Sequence, residues 1–87
     1  MSASIRPALA PGVRLRREKN RTVLLVPEGV VMLNATAAAT LELVDGTHTV
    51  DDIVEGLSAR FEAPREELLR GVEALLRRLS ERRMVRL

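Results

Sequence analysis

The chain has 87 residues, room for one domain, and a chain this short buries only about 60% of the surface its unfolded form exposes. It contains no cysteine, tryptophan or tyrosine and a single phenylalanine, Phe61, which excludes disulfides and thiolate metal cages and leaves aliphatic residues to build the core. Fourteen basic residues against 12 acidic ones leave a net charge of +2, so the sequence pI of ≈ 10.4 reflects a small arginine excess where few other groups titrate, and strong non-specific phosphate binding is disfavoured.

Met1 to Gly12, with Pro7, Pro11 and no sustained period, reads as a flexible N-terminal arm ahead of a single domain over 13–87. The arm lacks the apolar stretch of a signal peptide, and no apolar run approaches the roughly 20 residues of a membrane-spanning helix. A soluble, unprocessed, cytoplasmic protein is expected.

Val13-Arg14-Leu15-Arg16 alternates with the period of a half-buried strand. Glu18, Lys19 and Asn20 make a turn, and Thr22 to Val26 is a second, more continuously apolar strand. Pro27 and Gly29 suit positions i+1 and i+3 of a type I turn, so Val30 to Leu33 becomes the third strand of an antiparallel meander. Asn34 is a good N-cap for an alanine-rich helix that stops at Asp45-Gly46. Thr49 and Asp52 form a capping box for a second helix carrying Ile53, Val54, Leu57 and Phe61 at helical spacing. Pro64 suits the first turn of a third helix, with Glu66 and Glu67 near its start and Arg77, Arg78, Arg82 and Arg83 toward its end. Its apolar stripe is Leu68, Leu69, Val72, Leu75, Leu76 and Leu79. The fold class that follows is α+β, winged-helix-like: a three-stranded antiparallel meander followed by a three-helix bundle.

Catalytic chemistry finds little to work with. His48, the only histidine, lies between two threonines in a loop and reads as solvent-exposed. Asp51 and Asp52 are accounted for by the positive end of a helix, and no glycine-rich phosphate loop or nucleophile elbow is present. No catalytic, cofactor-binding or metal-binding residue is assigned.

The third strand is more informative. A meander leaves its first and third strands unpaired on one side, and such edges are normally guarded. Arg14, Arg16 and Arg17 guard the first, whereas Val30, Val31, Met32 and Leu33 carry no charge. Cover by a helix, pairing in a dimer, or strand addition by an extended peptide all satisfy such an edge. Gly71 interrupts the third helix beside Ala74, Leu75, Arg78 and Arg82, which fits close packing, simple tolerance or a shallow groove wall. Three helices beside a small sheet also suggest a DNA-binding regulator, but Glu66, Glu67, Glu73 and Glu81 interleave with the arginines, and the helix has no Asn, Gln or Lys to read base edges.

Several of these stretches together resemble the PqqD family of pyrroloquinoline quinone (PQQ) biosynthesis. They are Arg14-Leu15-Arg16, Leu24 through Gly29, Leu33-Asn34 with the alanine-rich helix, Asp45-Gly46, and Thr49-Val50 with Ile53. The resemblance implies a non-catalytic peptide chaperone, a recognition element for ribosomally synthesised modified peptides, without a cofactor. It implies that the precursor peptide adds as a strand and is presented to a radical S-adenosylmethionine (SAM) enzyme. Carried over by position, the peptide-binding residues are Val30, Val31, Met32 and Leu33 on the strand, and Leu68, Gly71, Val72, Leu75, Arg78 and Arg82 on the helix. Family members often carry Cys, Asp and Trp where this chain has Val44, Gly71 and Met84. Neither nucleic acid nor membrane is an expected partner, and the chain is expected as a monomer or homodimer. The alternatives are a winged-helix DNA-binding regulator and a structural dimerisation module.

Overall fold

The computed structural model describes all 87 residues, Met1–Leu87. Its strands and helices follow in the order β1 (Ala8–Leu9), β2 (Arg14–Glu18), β3 (Arg21–Val26), β4 (Gly29–Met32), α1 (Ala35–Glu42), α2 (Val50–Ser58), α3 (Arg65–Glu81) and β5 (Val85–Arg86). Strands β2, β3 and β4 form the expected antiparallel meander, with β3 in the centre. Leu33, expected as the end of the third strand, lies one residue beyond it.

Both hairpins close on two-residue turns, because Glu18 pairs with Arg21 and Val26 with Gly29. In the first turn Lys19 takes a φ of 48°. Pro27 and Glu28 make the second, and Gly29 follows with a φ of 149°, a region that favours glycine. The registers stack Leu15, Leu24 and Val31 on the face toward the helices. Leu24 is fully buried there with Ile53 and Leu76, in a cluster of 14 residues drawn from the sheet, all three helices and Val85.

The first two helices begin where side-chain acceptors are available to the first free amides. The Asn34 carboxamide oxygen accepts from the Ala37 amide at 2.8 Å. Thr49 and Asp52 form the expected capping box, each side chain accepting from the other's amide at 3.0 Å. Pro64 has extended backbone at the N-cap, one residue ahead of the expected first turn, and offers no capping side chain. At its other end α3 closes with two bonds: the Arg83 amide donates to the Ser80 carbonyl at 2.9 Å, and the Met84 amide to the Leu79 carbonyl at 2.8 Å. This is the paired bonding of a Schellman motif, with Arg83 at a φ of 60° where glycine is usual.

The N-terminal segment differs from the flexible arm expected of it. Ala8 and Leu9 pair antiparallel with Arg86 and Val85, and Pro7 is fully buried. The amides of Gly46, Val50 and Asp51 donate to the carbonyls of Pro7, Ile5 and Ala3 at 2.9, 2.9 and 3.1 Å, stitching the segment along the loop before α2 and the first turn of that helix. A two-residue strand has no measurable period, so local pattern carried no sign of this pairing.

Candidate functional site

A groove of about 400 Å³ runs between the free edge of β4 and the outward flank of α3. Val31, Met32 and Leu33 form one wall, and Gly71, Leu75, Arg78 and Arg82 form the other. Seven of the ten residues expected at the peptide site therefore meet in one depression. Asn34, Thr36, Ala37 and Thr40 supply its floor from α1 and the turn before it, and Leu79 and Met84 complete it.

The sheet edge has a defined polarity. In a two-residue hairpin the closing pair exchanges both ladder bonds, and hydrogen-bonded pairs then alternate along the strands. Starting from Val26 and Gly29, this makes Leu24–Val31 a bonded pair and leaves Leu25–Val30 and Val23–Met32 as the non-bonded ones. The backbone groups of Val30 and Met32 consequently point away from β3, where no other strand of the sheet pairs with them. Their side chains are 54% and 56% exposed. Val30 itself lines a neighbouring depression, with Glu28, Gly29, Arg82 and Met84, rather than the main groove.

Leu68 and Val72 require correction. They are only 7% and 2% exposed, because α3 turns the stripe of Leu68, Val72, Leu76 and Leu79 into the core. The adjacent flank, at Gly71, Leu75, Arg78 and Arg82, faces the groove, and of the core row only Leu79 reaches it. The sequence singled out both rows but did not separate them, since a helix with an apolar stripe wider than one row leaves its inner edge undetermined.

Small side chains keep the groove open. Gly71 is exposed, and a β-carbon there would meet no other heavy atom within 4 Å. Close packing, one reading of this glycine, is therefore not what the position provides. The Thr40 hydroxyl is buried and satisfied, donating to the Thr36 carbonyl at 2.8 Å. Arg78 and Arg82 stand at one end of the groove, and neither is among the arginines engaged in ion pairs, which are Arg16, Arg60 and Arg65. Two guanidiniums beside an apolar trough and an unpaired strand edge can receive an extended chain that carries aliphatic side chains and a carboxylate. Gly71 and Met84 both line this groove.

The remaining candidate groups have local roles. Asp45 accepts from the Thr47 amide and hydroxyl at 3.0 and 2.8 Å and from the His48 ring at 2.9 Å. The Thr47 amide, then the His48 ring and the Thr47 hydroxyl, hold its carboxyl well below the usual carboxylate range. Asp52 is lowered by its bonds to Thr49, the backbone amide first. Asp51 pairs with Arg65, which also reaches Glu55 at 2.7 Å. The His48 side chain is 41% exposed in this loop, in keeping with the solvent-exposed reading.

The family model described as coenzyme PQQ synthesis protein D (PqqD) matches residues 21–85. A PqqA binding protein of Rhizobium meliloti is 37% identical over 79 residues, covering 88% of this chain and 81% of the relative. Among solved structures, the PqqD truncation of Methylobacterium extorquens PqqCD is described as a functional, stand-alone recognition element for ribosomally synthesised and post-translationally modified peptides. It superposes with a TM-score of 0.83 at 35% identity, covering 99% of this chain and 94% of that one. A lasso peptide synthetase B1, solved with its leader peptide, superposes with a TM-score of 0.79 at 29% identity and covers 94% of this chain and 99% of that one.

Proposed function

The chain belongs to the PqqD family, and from that premise we propose that it is a non-catalytic peptide chaperone whose β4 edge and α3 flank hold the peptide. It binds the precursor peptide of PQQ biosynthesis and presents it to the radical SAM enzyme of that pathway. The peptide adds as a fourth strand, bonding to the outward backbone groups of Val30 and Met32. Its side chains on the inner side enter the groove along Leu33, Gly71 and Leu75, and a carboxylate on it meets Arg78 or Arg82. The observation that carries this reading is the coincidence of an unguarded strand edge with an open, partly apolar groove, on a fold shared with a protein solved around its leader peptide.

Proline at the edge tests it. Met32→Pro removes an amide that makes no ladder bond, so the sheet keeps its pairing while the edge loses a donor. Fluorescence anisotropy with labelled precursor peptide should show affinity lowered at least tenfold, with the circular dichroism spectrum unchanged. Undiminished affinity in a folded Met32→Pro protein removes strand addition from the account.

A further inference from the structure

The face of the sheet turned away from the helices meets the groove only at Met32, and its composition is ordered. Five of the 14 basic residues, Arg14, Arg16, Arg17, Lys19 and Arg21, lie on the first hairpin, against one of the 12 acidic residues, Glu18. Glu18 is held by Arg16. The rest of the chain is net negative, so the positive field is concentrated on this hairpin, with Arg14, Arg16 and Arg21 on its outer side and Arg17 on the side of α1. The registers align Arg14, Leu25 and Val30 in one row across the three strands, and Arg16, Val23 and Met32 in the next. Both rows lie on the outer face, because the row between them, Leu15, Leu24 and Val31, faces the core. Each row thus passes from an exposed guanidinium, past a β3 residue that is half-buried at Leu25 and covered at Val23, to an exposed aliphatic side chain on β4.

We propose that this outer face is the docking surface for a folded protein with a carboxylate-rich surface, namely the enzyme that modifies the bound peptide. The inference rests on reading β4 as the peptide-binding strand. A peptide added there continues both rows, with alternate side chains emerging beside Val30 and Met32. At about 4.8 Å per strand, β2 lies about 14 Å from the added peptide. One protein seated on the face therefore meets Arg14 and Arg16 and the outward side chains of the peptide together, so the carrier holds the enzyme against its substrate. Carboxylates match the arginines, and the exposed Val30 and Met32 match an apolar contact inside a polar rim. The face carries no aromatic side chain for base stacking, and its apolar half is unsuited to a phosphate backbone, which favours a protein over a nucleic acid.

The test uses the full chain with R14E and R16E together, and R14Q with R16Q as a milder pair. Two titrations are read separately, one with labelled precursor peptide and one with the purified radical SAM enzyme of the same organism, at two salt concentrations. The proposal expects peptide affinity within twofold of wild type, enzyme affinity lowered at least tenfold by the charge reversal and less by the neutral pair, and a shallower salt dependence. Unchanged enzyme affinity overturns it, as does a parallel loss of peptide affinity, which makes the face part of the peptide site. A mobility shift of duplex DNA by the wild type that the charge reversal abolishes assigns the arginines to nucleic acid instead, and also overturns it. Failure of the wild type to bind peptide sinks the reading of β4, and it is visible independently of the enzyme titration.

Discussion

Replacing Gly71 should move stability and binding in opposite directions. The residue lies in the interior of a 17-residue helix, where glycine costs about 1 kcal/mol relative to alanine. A β-carbon there meets nothing within 4 Å, so Gly71→Ala recovers the helix propensity without a steric cost. For a domain of this size a gain of about 1 kcal/mol raises Tm by about 4–8 °C. Gly71→Leu gains nearly as much propensity but places a branched side chain in the groove, against the wall formed by Met32 and Leu33. Its affinity for the precursor peptide should fall at least tenfold, which corresponds to about 1.4 kcal/mol. Thermal unfolding followed by circular dichroism, together with peptide anisotropy, reads both quantities on the same samples. A lower Tm for Gly71→Ala refutes the claim that the position is open, and full peptide affinity for Gly71→Leu refutes the claim that the peptide passes over it. If both hold, the chain has kept a stability cost where its ligand needs space.

Other consequences follow from single features. Arg83→Gly removes the left-handed penalty at the end of α3 and should raise stability by about 1 kcal/mol in urea unfolding; a loss shows that the arginine side chain stabilises this end. Leu76→Ala, at a fully buried site, should cost about 2–5 kcal/mol, and a smaller shift in the urea midpoint contradicts the assignment of the core. Asp45 and Asp52 have carboxyl pKa values lowered by folding, so their contribution is present above the unfolded value near about 4 and is lost as pH falls below it. Stability measured from pH 6 to 2 should decline in that lower range, and a flatter decline is expected for Asp45→Asn and Asp52→Asn; identical profiles refute the role given to these bonds. Arg78→Ala with Arg82→Ala should weaken peptide binding and reduce its salt dependence; an unchanged salt slope removes the carboxylate contact.

The meander and the three helices were legible because each announces itself locally. Arg14-Leu15-Arg16 alternates, Pro27 through Gly29 dictates a turn, and Asn34 and Thr49 are caps whose partners lie three residues on. The groove was legible in part, since the uncharged stretch Val30 to Leu33 and the small residue at 71 stand out against their surroundings. Its floor was not. Thr36, Ala37 and Thr40 read as ordinary members of a helix, and only the packing of α1 against α3 and β3 brings them to the groove. The inner and outer rows of α3 were likewise merged, so Leu68 and Val72 were assigned to a surface that they do not reach. The pairing of β1 with β5 brings Ala8 next to Arg86, a contact between chain ends that no local period encodes.

Whether the precursor peptide pairs with β4 is the claim on which the rest depends, and titrating the isotopically labelled chain with that peptide while recording amide chemical shifts and intermolecular nuclear Overhauser contacts tests it most directly. The account predicts the largest shifts at Val30 to Leu33 and at Gly71, Leu75 and Arg78, with interstrand contacts from the peptide to Val30 and Met32. Shifts concentrated on β2 or on the loop around Asp45, with β4 unmoved, contradict it.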